Sequence, residues 1–150
     1  MAQIRIPSDA TPFLPLVSTH RNPGSSSQAS RCFETYADLA VFLAAYGFAV
    51  RNHELPAKDN ETFLDQPGPI DIAIFAKSDR RFPPLLFMAL AATGDQRIVR
   101  NEDEICRIAE LFAAAGSRAL KSRIDQLGTP LHLGVAHVLE TYEEEDPDKI

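Results

Sequence analysis

The segment from Asn101 to Gly128 constrains the fold most strongly, because it carries the signals of one long helix from start to end. Asn101, followed three residues later by Glu104, is an Asn variant of the capping box with which helices begin. Acidic residues fill the first turns and basic residues lie toward the other end, which matches the helix dipole. Apolar residues keep a helical spacing as far as Gly128, at Ile105, Ile108, Phe112, Leu120, Ile124 and Leu127.

Three further helices are predicted. The first spans residues 34–46, with Gly47 placed where a left-handed C-terminal cap would lie. The second begins at Pro83-Pro84, since proline is tolerated in a first turn, and stops at Thr93-Gly94-Asp95. Thr129-Pro130 is expected to cap the last helix. Its apolar side contains Leu131, Val135, Val138, Leu139 and Tyr142.

A small β element is predicted beside these helices. Residues 70–75 are rich in β-branched side chains and partly alternate, which favours a strand, and residues 48–50 are interpreted as its partner. A two-stranded sheet is marginal alone and would have to lie on helices. The predicted fold class is therefore α+β and mostly helical: about four helices packed with a two-stranded element and an extended N-terminal arm.

The chain is predicted to have three parts. Residues 1–30 form a Pro/Ser-rich N-terminal arm, which could dock through short apolar pieces or stay mobile, docking being preferred. Residues 31–142 form a single helical domain, and residues 143–150 an acidic, disordered tail. Residues 140–150 hold six acids and one base, a net charge of −5; subtracting this from −6 leaves −1 for the other residues.

Composition excludes several classes of protein. Two cysteines are too few for a disulfide scaffold or a Cys-rich zinc site. The sequence contains neither an apolar run long enough to cross a membrane nor a signal-peptide pattern, so we expect a cytoplasmic protein. The acidic balance disfavours a generic nucleic-acid coat.

Histidines and cysteines do not form a recognisable catalytic pattern. His132 and His137 are five residues apart and diverge by about 140° on a helix, unlike the i, i+4 pairs that bind metals. Cys32 and Cys106 each adjoin an arginine in sequence, but sequence neighbours on a helix point in different directions, so partly or fully buried cysteines are expected. The remaining histidines are His20 and His53.

Asp65, Asp71 and Lys77 are candidates for a nuclease-like arrangement, because some nucleases hold Mg²⁺ with an acid and then an acid-x-Lys on a hairpin. The lysine two residues after Asp71 is missing here. No Gly-rich phosphate loop or Gly-x-Ser-x-Gly elbow occurs either. We therefore predict no catalytic residue, no metal site and no cofactor.

Two basic clusters are candidate contacts for phosphate or for an acidic partner surface. Arg118 and Lys121 are i, i+3 neighbours and should lie together on their helix. The alternative interpretation is a solvated helix end whose charges complement the dipole. The clusters are Lys77, Arg80 and Arg81, and Arg118, Lys121 and Arg123, with Arg97 and Arg100 expected near the second.

Three stretches together carry a family resemblance. They are FETYADLAVFLAAYGF at residues 33–48, PIDIAIF at 69–75 and LAATGD at 90–95. In this order and spacing the chain resembles the DNA phosphorothioation (Dnd) system-associated protein 4 family over about residues 33–140. It departs from the family in the long helix, where ELFAAAG at 110–116 keeps one acid, the aromatic residue, an alanine and the last glycine of Glu-Glu-Tyr-Ala-Asn-Gly-Gly.

The resemblance implies a biological context. Members of this family sit beside systems that replace a non-bridging phosphate oxygen with sulfur and use the mark to distinguish self from invading DNA. The expected function is a non-enzymatic accessory or adaptor protein of such an anti-phage system, bound to a larger protein subunit. A DNA-binding or regulatory protein acting through the basic clusters is the first alternative, and a metal-dependent nuclease around Asp71 the second. Self-association stays open, and no membrane partner is expected.

Overall fold

The computed structural model describes residues 2–18, 32–56, 61–77, 81–128 and 130–144. A short strand β1 opens the chain and a 3-10 helix follows it at Ser8–Leu16. Another 3-10 helix, Gln96–Arg100, precedes the longest helix. The strands and α-helices are, in chain order, β1 (Gln3–Ile4), α1 (Tyr36–Val50), β2 (Ile70–Asp71), α2 (Ile72–Ala76), α3 (Phe82–Thr93), α4 (Glu102–Leu127) and α5 (Leu131–Glu144).

The long helix α4 has the predicted start and end. The Asn101 side chain accepts a hydrogen bond from the backbone N–H of Glu104, 3.2 Å away. At the other end Gly128 takes a left-handed conformation, with φ of 68°, and its N–H donates to the carbonyl of Ile124. The mostly helical α+β class predicted from the sequence is confirmed.

Helix α1 is longer than predicted, and the expected cap at Gly47 is wrong. The helix starts after a capping box in which the Thr35 side chain and Asp38 exchange hydrogen bonds, and it continues to Val50. Gly47 lies inside it because it faces α4. A Cβ on Gly47 would lie 2.0 Å from the carbonyl oxygen of Phe112, and one on Gly116 would lie 2.0 Å from that of Leu43. The two helix backbones therefore touch at a crossing that only glycines permit.

The sheet pairs different segments from those predicted. β1 and β2 are antiparallel, with Gln3 opposite Asp71 and Ile4 opposite Ile70. The predicted partner, residues 48–50, is part of α1. The predicted strand is also shorter, because the Asp71 side chain accepts a hydrogen bond from the N–H of Ala73 and starts α2 at Ile72.

The described N-terminal residues pack into the hydrophobic core. Of the docked and the mobile arrangement that the sequence left open, they adopt the docked one. Ile4, Ile6, Phe13 and Val17 are each 1% exposed or less. Two prolines lie inside the 3-10 helix, a tight form that does not need the full α-helical bond pattern. The docked segment covers one side of α4, so the core is built from both ends of the chain.

Helices α3 and α5 complete the described fold. α3 carries Pro83 and Pro84 in its first turn, as predicted, and ends at a left-handed Gly94. The predicted cap at Thr129 lies outside the described residues. α5 buries Val135 fully and Leu131, Val138 and Leu139 in part. It includes residues 143 and 144, which the sequence assigned to the tail, whereas residues 145–150 lie outside the described residues.

No helix in the described ranges is both long enough and apolar enough to pass through a bilayer.

Candidate interaction surfaces

An apolar groove lies between α1 and α5, with the start of α3 at one end. Its volume is about 470 Å³. Most of its lining side chains are apolar, and they are only partly covered by the rest of the protein. The lining residues are Asp38, Val41, Phe42, Ala45, Tyr46, Ala49, Arg81, Pro84, Val138 and Leu139.

The α1 wall of this groove is one continuous helical face. Its six lining residues, from Asp38 to Ala49, follow the i, i+3, i+4, i+7 spacing over three turns. Phe42 stands at the centre, with its ring centroid 5.3 Å from that of Phe33 and 6.3 Å from that of Tyr46. This row of aromatic rings presents a large, rigid apolar surface of the kind enriched at protein interfaces.

A charged pair closes one end of the groove. Arg81 Nε lies 2.8 Å from Asp38 Oδ1, and the same carboxylate accepts from the N–H and hydroxyl of Thr35. The side chains of Arg81 and Asp38 are only 21% and 30% exposed. Arg81, predicted as a phosphate or partner contact, therefore ties the start of α3 to the cap of α1.

Arg118 and Lys121 do lie together, as their spacing predicts. Both line one depression of about 700 Å³ on the surface of α4. Arg118 Nη1 lies 2.9 Å from the carboxylates of both Asp9 and Glu61, and the hydrogen bond that Arg118 donates to Glu61 raises the pKa of Arg118. Lys121 Nζ lies 2.7 Å from Asp125. The two predicted cations are thus already engaged by carboxylates of the same chain.

The other predicted basic residues do not join this depression. Arg97 and Arg100 belong to the 3-10 helix before α4, whereas Arg118 lies roughly 24 Å further along α4, so the expected proximity is wrong. Arg97 pairs with Asp95, 3.1 Å away, which raises the pKa of Arg97. Arg123 and Lys77 are exposed. Arg80 lies outside the described residues.

The sequence did not reveal an ion pair between a buried glutamate and a half-exposed arginine. Glu110 on α4 is 4% exposed, and its carboxylate accepts from the backbone N–H of Arg5 at 2.7 Å and from the Arg5 guanidinium at 2.9 Å through Nε and Nη2. This bonding raises the pKa of Arg5. The guanidinium carbon also lies 3.8 Å from the centre of the Phe63 ring. The sequence signal is a single acid on an apolar helix face, and its partner is 105 positions away.

A polar recess surrounds this pair. It is lined by Gln3, Arg5, Asp103, Arg107 and Glu110. Arg107 forms a short ion pair with Glu104, one turn earlier on α4. Two guanidinium groups thus lie among three carboxylates, a net charge of −1, and the bonds between Arg5 and Glu110 fasten the end of β1 to α4.

Asp71 and Lys77 do not share the strand that the nuclease hypothesis requires. The Asp71 carboxylate is used to cap α2, and Lys77 lies at the far end of that helix rather than on a continuous strand. Across the described ranges, no three His, Cys, Asp or Glu side chains are close enough to hold a metal ion.

The cysteines lie in surroundings that oppose a reactive thiolate. Cys106 is 2% exposed, and burial, followed by the nearby Glu110 and other carboxylates, raises its pKa to about 12. Cys32 is half-buried, and burial raises its pKa as well. Both thiols are therefore protonated near neutral pH, and a thiolate is the nucleophilic form.

Two of the four histidine side chains are described, and they belong to different segments. The His53 ring stacks on Phe48, with centroids 4.2 Å apart, and His137 is exposed on α5. His20 and the side chain of His132 lie outside what is described.

These features define a small helical protein with a tight core, paired surface charges and one partly uncovered apolar groove. The chain belongs to the family of DNA sulphur modification system-associated protein 4, whose family model matches residues 3–148. The match includes the N-terminal segment, which the resemblance based on residues 33–140 had left out. Neither the curated proteins nor the solved structures contain a match to this chain.

Proposed function

We propose that this protein is a non-enzymatic adaptor of a DNA phosphorothioation-linked, anti-phage system, and that it works in the cytoplasm through contacts with a larger protein subunit. Family membership supports the association with a DNA sulphur modification system. The adaptor role is our inference from the surface of the molecule.

The groove between α1 and α5 is the observation that carries this proposal. It exposes part of Phe42, Tyr46 and Leu139 along a face that the described chain leaves uncovered. Interfaces between proteins are enriched in aromatic residues and have an apolar centre with a polar rim. The groove has this composition, with the Arg81–Asp38 pair at its rim.

The charged groups support contact rather than chemistry. Asp38 and Asp71 cap helices, and Glu110 fastens β1 to α4. Each of these carboxylates therefore stabilises the fold through its hydrogen bonds. A general acid or base needs instead a position from which it can reach a substrate.

Co-purification tests the adaptor role. The tagged full-length chain should be expressed with the other proteins of a DNA sulphur modification system, recovered after nuclease treatment and analysed by mass spectrometry. We expect a protein of that system at a fixed molar ratio. Nuclease treatment removes complexes that are held together only by DNA.

Two outcomes would contradict the adaptor role. One is recovery of the chain without any protein of the system. The other is recovery that nuclease treatment abolishes, which would favour the DNA-binding alternative through Arg118 and Lys121. That alternative also predicts affinity for DNA that falls steeply with salt.

A further inference from the structure

Helix α1 ends in a Schellman motif that fixes the position of His53. The N–H of His53 donates to the carbonyl of Phe48 at 2.9 Å, and the N–H of Asn52 donates to that of Ala49 at 3.2 Å. Asn52 takes the left-handed conformation that this motif requires, with φ of 52°. His53 is left-handed as well, with φ of 70°, although the motif needs only one such residue. The end of α1 therefore holds His53 in a backbone conformation that residues with a Cβ seldom adopt.

His53 is exposed to solvent while its imidazole is stacked on a buried ring. The imidazole lies parallel to the ring of Phe48, with an interplanar angle of 9° and centroids 4.2 Å apart. Phe48 is only 8% exposed, whereas His53 is exposed. Because Phe48 covers one face of the imidazole, the opposite face is the one on which a further flat ring could continue the stack.

A second aromatic ring, that of Phe87 on α3, lies against the same buried ring. Phe87 is 62% exposed, and no other large apolar side chain in the described ranges is as exposed. His53 and Phe87 both lie against Phe48, at centroid distances of 4.2 and 6.1 Å, so their rings are no more than about 10 Å apart. Aromatic groups this close can each stack on one base of neighbouring nucleotides in an extended single strand.

Arg51 places a positive charge beside His53. Its Nε donates to the backbone carbonyl of Glu54 at 3.0 Å, so the guanidinium is held next to the residue that follows His53. Five other arginines form ion pairs with carboxylates, whereas none of the ion pairs in the described ranges includes Arg51. The Glu54 side chain is exposed, and within those ranges it forms no ion pair either. The Arg51 guanidinium can therefore donate its remaining hydrogen bonds to a phosphate group.

We infer that this end of α1 binds single-stranded nucleic acid, with unpaired bases stacked on His53 and Phe87 and a phosphate on Arg51. Stacking on aromatic side chains accepts any base, and a guanidinium binds phosphate oxygens with charge-assisted hydrogen bonds. The formal charge of −6 opposes a broad contact with nucleic acid, so the contact covers only one or two nucleotides. This inference goes beyond the adaptor role, and none of its three residues lines the groove.

A protein partner fits this surface less well. The centre of a protein interface is apolar and poor in charged residues. Here an imidazole and an unpaired guanidinium lie near a single phenyl ring, so the surface combines flat rings with a positive charge. A nucleotide has the complementary combination, a flat base and an anionic phosphate.

Fluorescence anisotropy with the purified full-length chain in low salt tests the inference. The first probe is a labelled single strand of about ten thymidine nucleotides, which matches the site size of small single-strand binding folds. The second is an abasic strand of the same length, which keeps the phosphates but has no bases. The third is the first strand annealed to its complement, which hides the faces of the bases. We expect the thymidine strand to bind at least about tenfold more tightly than either of the others.

Competition with thymidine monophosphate separates a strand from a free nucleotide as the ligand. A strand that contacts both rings should be displaced only by a large excess of the mononucleotide, about a hundredfold or more, because the mononucleotide occupies one ring at a time. Displacement by an equal concentration would assign the site to a free nucleotide and overturn the inference.

Variants of the two rings locate the site. Phe87→Ser should weaken binding of the thymidine strand about tenfold, whereas Leu133→Ser, at an equally exposed apolar position on α5, should not change it. His53→Asn should weaken binding at least about threefold, because asparagine tolerates the left-handed backbone but has no ring to stack. Phe87 is on the surface of α3, so its variant keeps the test valid if His53→Asn loosens the end of α1.

A variant of the arginine tests the phosphate contact. Arg51→Gln should reduce the slope of log affinity against log salt by about 0.7, the value for one phosphate contact with a single strand. Arg123→Gln, which removes an exposed charge on α4, should leave the slope unchanged.

Several other outcomes would overturn the inference. Equal affinity for the thymidine and abasic strands would show that no base is stacked. Equal losses of affinity in Phe87→Ser and Leu133→Ser, or equal changes of slope in Arg51→Gln and Arg123→Gln, would show that the strand binds elsewhere.

The co-purification assay covers the remaining case. If the thymidine strand does not bind, and Phe87→Ser instead weakens retention of a protein of the system after nuclease treatment, the surface is a protein interface and the inference is wrong. We expect Phe87→Ser to retain that protein as strongly as the unmodified chain does. Because that assay is carried out without nucleic acid, the adaptor role and the strand-binding site can each fail while the other stands.

Discussion

The two faces of α1 are packed in contrasting ways. On the α4 side, Gly47 and Gly116 let the two backbones touch, and the neighbouring side chains are almost completely buried. On the α5 side, Phe42 and Tyr46 border a groove of about 470 Å³. Small residues thus fit one face closely to a single neighbour within the chain, whereas the large apolar residues of the other face are only partly covered by the described chain.

Adding one methyl group at the glycine crossing should have the largest effect. A Cβ on Gly116 would lie 2.0 Å from the carbonyl oxygen of Leu43, so Gly116→Ala must push the helices apart. We expect a loss of about 3 kcal/mol or more in the free energy of unfolding, measured by urea denaturation.

Gly68→Ala is the matched control for this substitution. The nearest atom to a Cβ there is the carbonyl oxygen of Asp65 at 3.8 Å, an ordinary contact, so the change should stay within about 0.5 kcal/mol. If Gly116→Ala were as mild as Gly68→Ala, the close contact between α1 and α4 would be wrong.

Enlarging two adjacent alanines of α1 compares its faces directly. Ala44 is 1% exposed against α4, whereas Ala45 lines the groove. Ala44→Leu should cost about 2 kcal/mol of unfolding free energy, because it overpacks a filled core, and Ala45→Leu should change it by less than about 0.5 kcal/mol. Urea denaturation of both variants would measure the difference. Similar losses in both would mean that the groove is already filled.

Removing the buried charge on α4 should have an intermediate effect. Glu110→Gln keeps the shape of the side chain but weakens its hydrogen bonds to Arg5. Because hydrogen bonds to charged groups contribute about 1.5–3 kcal/mol, and Arg5 is half-exposed, we expect a loss of about 1.5 kcal/mol in urea denaturation.

The same substitution at an exposed position is its control. Glu102→Gln at the start of α4 should stay within about 0.5 kcal/mol. An equal loss of unfolding free energy in the two variants would show that Glu110 contributes no more than a surface charge. The packing around α4 would then be stabilised by apolar contacts alone.

Local signals explain what the sequence predicted correctly. The start of α4 depends on Asn101 and Glu104, and its end on Gly128, all of which act within a few residues of themselves. The first-turn prolines of α3 and the left-handed Gly94 are signals of the same kind. Caps and turns could therefore be predicted from single segments.

Distant partners explain what the sequence did not show. Gly47 has the composition of a cap, and only the position of Gly116 reveals that it serves a helix crossing. The strand at Ile70 pairs with Ile4 rather than with residues 48–50, because the N-terminal segment folds back onto α4. The groove likewise needs α1 and α5 side by side, which no local pattern encodes.

Of the candidate site, the i, i+3 proximity of Arg118 and Lys121 was predictable, because it depends on helix geometry alone. The carboxylate partners of Arg118, Asp9 and Glu61, come from other segments and could not be predicted. Whether this cluster contacts phosphate or a partner stays a prediction.

The smallest expected effect concerns this surface cluster. Arg118 is about half-exposed, so Arg118→Ala should cost at most about 1 kcal/mol of unfolding free energy in low salt. The loss should shrink in 1 M NaCl, where charges are screened within about 3 Å. Arg123→Ala is the control, because Arg123 is exposed and has no ion pair within the described ranges.

The same two variants, each combined with Lys121→Ala, decide between the adaptor and DNA-binding hypotheses in a mobility-shift assay. The carboxylates that hold Arg118 and Lys121 compete with any phosphate, so we expect weak DNA affinity that neither double variant alters. If affinity instead falls steeply with salt and drops further in Arg118→Ala/Lys121→Ala, phosphate displaces Asp9 and Glu61. The interaction surface of the molecule would then lie on α4, and the groove beside α1 would not be the functional surface.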